Sequence, residues 1–255
     1  MKIWPMMKKE LRLYFTTPVA YGVIFCFLLI TGYFFYSIFA FYTMASMQAA
    51  MNPQMARDLN VTDSVMRPLF SNTSVILLLL MPLVTMRLFA EERRSGTIEL
   101  LLTYPIRDGA VLLGKYLAAL LLYAFMLALT LAYPGIVVYF ARLEWGPLLT
   151  AYIGLLLMGA TFLAVGIAIS SFFENQIMAG TVTFVVLLMF WVIGWSAEAA
   201  GGVWKAVLSE LSLIEHFDTF AKGILDTKDV IYYVNFTLLA LFIALKSLEA
   251  RRWKG

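Results

Sequence analysis

The segment Gly109–Tyr116, GAVLLGKY, has the glycine and lysine spacing of a phosphate-binding loop. In such a loop, backbone N–H groups and the lysine hold the phosphates, and a serine or threonine in the next position holds Mg²⁺. Tyr116 occupies that next position and cannot hold the ion, and the segment runs into a long apolar stretch instead of following a strand. We therefore expect no catalytic and no cofactor-binding residue in this chain. If the protein uses ATP and Mg²⁺, another chain must bind them.

Two further groups of side chains have atoms that bind metal ions. Glu215, His216 and Asp218 stand close together, but His216 is the only histidine in the chain. Metal sites usually combine several such ligands, so we expect ordinary solvated loop residues and no metal site. Thioethers can bind Cu(I), yet a methionine stripe without nearby cysteine or histidine is more often a soft packing surface. That stripe is Met44, Met47, Met51 and Met55.

The composition indicates that the bilayer is the solvent for most of the chain. Of the 255 residues, 62% are hydrophobic and 14% are charged, which is too apolar for a soluble domain of this length. A helix that crosses about 30 Å of hydrocarbon needs roughly 20 apolar residues. Six uncharged stretches come near that length: Ala20–Tyr42, Leu69–Met86, Tyr116–Phe140, Pro147–Ile169, Ile177–Ala197 and Val230–Leu245.

These stretches predict an all-α polytopic membrane protein with six transmembrane helices. Membrane spans are helices or closed barrels, and continuous apolar runs without alternation favour helices. The last stretch has only 16 residues, but tilt and the flanking Asp229 and Lys246 can accommodate it. Because no linker or repeat divides the chain, we expect residues 1–255 to form a single transmembrane domain.

The distribution of positive charge predicts the orientation of the helices. With both termini cytoplasmic, 13 of the 19 Lys and Arg residues lie on the cytoplasmic side, in agreement with the positive-inside rule. The first apolar stretch begins too late, and is too long, for the core of a cleavable signal peptide. No basic stripe with interleaved aromatics occurs, so we expect no nucleic-acid partner.

Short amphipathic helices are predicted on both sides of the membrane. Before the first span, apolar residues alternate with basic ones at helical spacing, which is typical of an interfacial helix, although a plain basic flank is the alternative. Its apolar face is Trp4, Met7, Leu11 and Tyr14 or Phe15, and Pro18 then turns the chain into the membrane. After the fifth span, short re-entrant outer helices are expected to pack an apolar face against the spans. That face is Val203, Val207, Leu211, Ile214 and Phe217.

A dense group of charges surrounds a short apolar segment between the second and third spans, EERRSGTIELLLTYPIRDG at 91–109. Gly96 can adopt a positive φ, Thr97 can cap a helix, and Pro105 can end it. Such a helix, held by two spans, is suited to a groove in another protein. An ordinary loop whose arginines follow the inside rule explains the charges equally well.

The run EERRSGTIELLLTYPIRDGAVLLGK resembles the signature of ABC-2 type transporter permeases. In that family, the first cytoplasmic loop has an acidic and basic cluster, then Gly-Thr-x-Glu-x-Leu-Leu, a proline, and Gly-Lys at the next span. SSFFENQIMAG, Ser170–Gly180, is similar to the second cytoplasmic turn of the family. EHFDTFAKGILDTKDVIYY, followed by RRWKG, resembles the gliding-motility subgroup of these permeases.

The resemblance implies a permease subunit with several partners. These are a second permease subunit, like or unlike, and two copies of a cytoplasmic ATPase that binds ATP and Mg²⁺. The assembly is expected in the plasma (inner) membrane of a prokaryote, with the interfacial helix and the loop helix contacting the ATPase. By position, the ATPase-coupling residues are Glu91, Glu92, Arg93, Arg94, Gly96, Thr97, Ile98, Glu99, Leu101 and Pro105.

Two functions are consistent with these features. The first is an exporter in which this subunit couples ATP hydrolysis by the separate ATPase to substrate translocation. The second is a mechanotransmitting subunit that acts on an outer-face partner protein without passing cargo, which the sizeable segment after the fifth span suggests. A channel or an ion-coupled carrier is disfavoured, because the six apolar stretches contain no Asp, Glu, Lys, Arg or His.

Overall fold

In the computed structural model, the described residues are 3–51, 60–97, 107–199 and 201–252, and they form helices without any strand. Six helical segments among them are long and apolar enough to cross a membrane. The predicted fold class, an all-α polytopic membrane protein with six spans, is therefore confirmed.

The described helices run in the following order along the chain. The first half of the chain forms α1 (Ile3–Thr16), α2 (Pro18–Met51), a π-helical turn (Thr62–Met66), α3 (Arg67–Thr85), α4 (Arg87–Arg94), α5 (Asp108–Thr130) and α6 (Ala132–Phe140). The second half forms α7 (Trp145–Ser170), α8 (Gln176–Ala199), α9 (Val203–Leu211), α10 (Leu213–Ala221) and α11 (Thr227–Arg252). Every predicted stretch lies inside a longer helical segment, because charged residues can continue a helix into the headgroup region.

The two ends of the bundle carry different elements. At the α1 end lie α1, α4, the last turn of α7 and the C-terminal part of α11, where the Ser247 hydroxyl lies 3.4 Å from the Ser171 carbonyl oxygen. At the α10 end lie α9, α10 and the first turns of α3, α7 and α11. Arg67 of α3 donates a hydrogen bond to Asp218 of α10 at 3.0 Å. Partial burial raises the pKa of Asp218, but hydrogen bonds from Lys222 and Arg67 outweigh burial and lower it overall.

Helices α3 and α7 form the centre of the bundle. In each of their spans, 72% of the most apolar window is buried, against 22% to 39% in the other four spans. Glycines allow close approach: a Cβ added at Gly159 would lie 2.6 Å from the Tyr123 hydroxyl, and one at Gly166 would lie 2.7 Å from the Thr85 Cβ. Small residues at such crossings are how membrane helices pack closely without a hydrophobic driving force.

Helix α1 exists where the sequence predicts it, and α2 begins at Pro18 as expected. The buried face of α1 is Met6, Glu10 and Tyr14, whereas Trp4 is 68% exposed. The predicted apolar face is therefore only partly correct. The reason is that α1 packs along α5, so one side of the helix meets protein and includes a carboxylate.

The two predicted outer helices, α9 and α10, are both present; α10 packs against α7 and α9 lies along α8, but the apolar residues named for α9 are not buried there. Phe217 of α10 is buried, while Val207 and Leu211 of α9 are 45% and 42% exposed. The predicted common apolar face is wrong for α9. Ser212 separates the two helices with an extended backbone and caps α10 by accepting a hydrogen bond from the Glu215 N–H, so the helical periodicity is interrupted there.

His216 is not the solvated loop residue that the sequence predicts. It is 5% exposed. Its Nδ1 lies 2.6 Å from Asp229 Oδ1, its Nε2 lies 3.2 Å from the Glu210 carbonyl oxygen, and its ring stacks on Tyr232. Among the described residues, no group of three His, Cys, Asp or Glu side chains could hold a metal ion.

In the predicted methionine stripe, Met44 and Met47 are exposed. The side chains of Met51 and Met55 lie outside the described part of the structure.

Candidate functional site

Helix α4 is fixed to the end of α7 by a single serine. The Ser170 hydroxyl accepts hydrogen bonds from the backbone N–H groups of Phe89 and Ala90, both at 3.2 Å. It also donates a hydrogen bond to the Met86 carbonyl oxygen at 3.1 Å. Met86 separates α3 from α4, so Ser170 satisfies backbone groups near the break between them. Helix α4 therefore moves with α3 and α7 unless these bonds break.

The four charged residues at the C-terminal end of α4 point in different directions. Glu91 and Arg94 are exposed, Glu92 is half-buried, and Arg93 is 7% exposed. This follows from the helical period, since Arg93 shares a face with the buried Phe89 and Ala90. Glu91 and Arg94 are thus accessible to a partner protein, whereas Arg93 is enclosed by this chain.

Gly96, which follows α4, has the positive φ that the sequence predicts. Its φ is +68°, a value that glycine adopts without strain. Thr97 donates a hydrogen bond to the Glu92 carbonyl oxygen at 3.3 Å, which satisfies one of the last carbonyl groups of α4. The remaining predicted coupling residues lie outside the described residues: Ile98, Glu99, Leu101 and Pro105.

A buried cluster of charges, missed in the sequence, joins α1, α4 and α5. Lys115 Nζ of α5 lies 3.0 Å from Glu10 Oε1 of α1 and 2.9 Å from Glu92 Oε1 of α4. The exposed fractions of the three side chains are 1%, 3% and 16%, respectively. Lys115 also lies over the Phe89 ring, 5.2 Å from its centroid. Residues 109–116, which resemble a phosphate loop, form the first turns of α5, and their lysine is held by two carboxylates.

The helical period of α5 contains a signal that could have identified Lys115. Leu112, Ala118, Ala119 and Leu122 are all buried, and Lys115 falls on the same face at spacings of three, four and seven residues. A lysine on an otherwise apolar face that turns toward the bundle needs a buried anionic partner. The identity of that partner could not be inferred, because Glu10 is 105 residues away in the sequence.

A cavity of about 60 Å³ lies beside the cluster, lined by Glu10, Tyr14, Arg87 and Lys115 among others. The Arg87 guanidinium carbon lies 5.0 Å from the centroid of the Tyr14 ring. Burial raises the pKa of Tyr14 well above its ordinary value; the charge of Arg87 opposes this shift and that of Glu10 adds to it. The phenol is therefore neutral at physiological pH.

Arg93 has a buried guanidinium group with unsatisfied hydrogen-bond donors. Its Nε, Nη1 and Nη2 atoms have no hydrogen-bond partner within the described residues. A buried donor without a partner loses its hydration and gains nothing in return, at a cost of about 1 to 3 kcal/mol, or more for a charged group. Arg93 therefore lowers the stability of the chain in this conformation.

Replacing Arg93 with methionine is expected to stabilise the isolated chain by about 1 to 3 kcal/mol, because the unsatisfied charge is removed and the apolar volume is kept. The measurement is the thermal unfolding midpoint of the purified chain in detergent. Arg94→Met is the matched control, since Arg94 is exposed and surface changes usually stay within about 0.5 kcal/mol. A lower midpoint for Arg93→Met would show that the guanidinium is paired.

A depression next to the tip of α4 brings together two segments that resemble signature regions. Arg94 lines it with Glu174, Asn175, Gln176 and Ile177, and its volume is about 520 Å³. These residues come from the end of α4, from the turn between α7 and α8, and from the first turn of α8. The two segments predicted to face the cytoplasm are thus neighbours at the α1 end.

Comparisons with known proteins identify the family. No curated protein sequence is significantly similar to the chain. The sequence profile of a family described as "ABC-2 family transporter protein" matches residues 4–246. The match includes nearly all of α1, the first five membrane-spanning segments and most of the sixth, the charged residues of α4 and the buried Lys115. The chain therefore belongs to the ABC-2 family of transporter proteins and is the membrane permease component of an ABC transporter.

Proposed function

We propose that this permease subunit belongs to an ATP-driven exporter and that the ATPase binds at the α1 end. The observation that carries the proposal is the geometry of α4. Its tip exposes Glu91 and Arg94, while its other side is bonded to Ser170 of α7. A force that the ATPase applies to the tip would reach α3 and α7, the two most buried spans.

The substrate path is proposed to lie between two permease subunits. The cavity beside Lys115 measures only about 60 Å³, which is small compared with typical ligand pockets of about 300 to 1,000 Å³. Helices α2 and α8 are each only 22% buried in their most apolar windows, so they offer large faces to a second subunit or to lipid. Both like and unlike second subunits are compatible with this arrangement.

The α1 end is proposed to face the cytoplasm, in the plasma (inner) membrane of a prokaryote. The excess of Lys and Arg in the segments at this end supports the orientation. ATP and Mg²⁺ are then bound by two ATPase subunits and not by this chain. The resemblance of EHFDTFAKGILDTKDVIYY to the gliding-motility subgroup supports a related assembly.

The test exchanges the two exposed charges of α4. Glu91→Lys combined with Arg94→Glu keeps the net charge but reverses the pattern that faces a partner. We expect the affinity of the permease, reconstituted in nanodiscs, for its ATPase to fall about tenfold, equivalent to about 1.4 kcal/mol. ATP-driven transport in vesicles should fall in parallel. Both quantities are measured against the unchanged chain.

A matched control exists at the same end of the bundle. Lys246 and Glu249 form an exposed ion pair on α11, with exposed fractions of 57% and 40%. Lys246→Glu combined with Glu249→Lys is expected to leave ATPase affinity and transport unchanged. If the two double variants had equal ATPase affinity and equal transport, α4 would not belong to the proposed interface.

A mechanotransmitting function is the second candidate, and the surface of α9 favours it. Trp204, Val207 and Leu211 are 70%, 45% and 42% exposed at the α10 end, which suits an outer-face partner protein. In this function, ATP hydrolysis by the same ATPase moves α9 and α10, and no cargo crosses the membrane. A continuous cavity of substrate size between two subunits of the assembled complex would argue for export instead.

A further inference from the structure

The buried cluster of Glu10, Lys115 and Glu92 joins three elements that are distant in the sequence. Glu10 belongs to α1, Glu92 to α4 and Lys115 to α5, and both ion pairs have N···O distances of 3.0 Å or less. Lys115 and Glu10 are almost fully enclosed by protein. Both pairs share the single ammonium group of Lys115, so the position of each helix depends on the other two.

Stability alone does not explain a buried charge at this position. An apolar side chain of similar volume generally packs at least as well as a buried ion pair, because the ions lose their hydration. The best-supported role of such a pair is to specify one arrangement of helices, since any other arrangement leaves a charge buried and unpaired. The cluster is therefore a device that fixes the relative positions of α1, α4 and α5.

Two further contacts hold α1 to the same elements. A Cβ added at Gly114 would lie 2.8 Å from the Met6 side chain and 3.3 Å from the Met7 backbone nitrogen, so α1 and α5 touch without spare volume. Near the other end of α1, the Tyr14 hydroxyl lies 3.4 Å from the Val84 carbonyl oxygen of α3. Helix α1 is thus fixed before, at and after Glu10.

We propose that Lys115 is a positioning residue that makes α1 and α4 move as one body with α5. This inference rests on the proposed function, because it assumes that an ATPase displaces α4. When the ATPase displaces α4, α1 moves with it, so the motion reaches α1 as well as α3 and α7. Without the ammonium group, the partly exposed pair of Lys9 with Glu92, at 3.7 Å, is the ion pair that still joins α1 to α4, so the two helices are held together less tightly and ATP hydrolysis continues with less transport.

The test measures the distance between α1 and α4 with spin labels. Arg12 of α1 and Ser95 after α4 are both exposed and are replaced by cysteine in a Cys26→Ser background, since Cys26 is the only cysteine. The labelled chain is placed in nanodiscs, alone and with the ATPase in its ATP-bound and nucleotide-free forms. Pulsed electron paramagnetic resonance gives the distribution of distances.

In the otherwise unchanged chain, the distance distribution should be narrow and the same in every state. Lys115→Met should broaden it about twofold, because α1 and α4 then sample several relative positions. In vesicles, the same variant should lower transport per ATP hydrolysed by about tenfold. Lys246→Met, which removes an exposed lysine at the same end, should change neither quantity.

A charge exchange separates the positioning role from a general effect on folding. Glu10→Lys combined with Lys115→Glu restores one ion pair and should return the distribution toward its original width. If Lys115→Met does not fold, Glu10→Gln provides the same measurement, because Lys115 stays paired with Glu92. Equal widths in the unchanged and altered chains without ATPase would overturn the inference. If Lys115→Met broadens the distribution but the ATPase changes the distribution in no variant, the result would support the positioning role of Lys115 and contradict the proposed function.

Discussion

Replacing Gly166 with alanine is expected to destabilise the chain by about 1 to 3 kcal/mol, the usual cost of overpacking a close-packed core. The new methyl group would lie 2.7 Å from the Thr85 Cβ, and Thr85 is fully buried. Because Gly166 and Thr85 lie where α7 crosses α3, relief requires the two central helices to separate. The measurement is the thermal unfolding midpoint of the detergent-purified chain.

Two further variants make this prediction specific. Gly22→Ala is the control, since an added Cβ there meets nothing within 4 Å and alanine favours a helix by about 1 kcal/mol. Its midpoint should stay equal or rise. Thr85→Gly added to Gly166→Ala removes the side chain that clashes, and should recover part of the loss. If Gly166→Ala and Gly22→Ala unfold at the same temperature, α3 and α7 are not in close contact at this point.

Replacing His216 with leucine is expected to cost about 1 to 3 kcal/mol, because it leaves the buried Asp229 side chain without one of its hydrogen-bond partners. Nδ1 of His216 lies 2.6 Å from Asp229 Oδ1, and the Asp229 side chain is only 6% exposed. The variant leaves this carboxylate buried with Thr219 as its hydrogen-bond donor. The contact between α10 and α11 should open first. Hydrogen exchange of residues 213–233 is the appropriate measurement.

A double variant tests whether the buried carboxylate causes the loss. His216→Leu combined with Asp229→Asn removes the charge, so its cost should be smaller than the sum of the two single costs. Lys228→Met is the control, because it removes an exposed lysine that contacts Glu210 in the same region. We expect it to leave the exchange rates unchanged. Additive costs in the double variant would mean that His216 stabilises α10 only by packing.

The membrane-spanning architecture could be predicted because it depends on the apolar character of long stretches and not on single residues. About 20 apolar residues in a row have one stable structure in hydrocarbon, a helix, and all six stretches form one. The predicted ends were too short because a charged residue ends an apolar stretch without ending a helix. Lys115 shows this: it stood outside the predicted third span, yet it lies inside α5 and is buried.

The arrangement of side chains around α4 could be predicted only in part. The positive φ of Gly96 follows from the residue type alone and is confirmed. The burial of Arg93 and the pairing of Glu92 with Lys115 depend on which side of α4 meets α5 and α7. That is a tertiary choice that local sequence does not determine. For the same reason, the apolar face of α1 was predicted without recognising that Glu10 is buried.

The position of Ser170 determines how close a partner must come to the lipid. Ser170 ends α7 beside Phe89 and Ala90, so only about four residues, or about 6 Å of helix, extend from there to Arg94, the last residue of α4. The headgroup layer on one side of a bilayer is about 5 to 8 Å thick. If a partner docks at α4 as proposed, the tip of α4 would rise little above the phosphates, and anionic headgroups would compete with the bound protein for Arg94. Membranes rich in acidic lipids should weaken the docking of that protein.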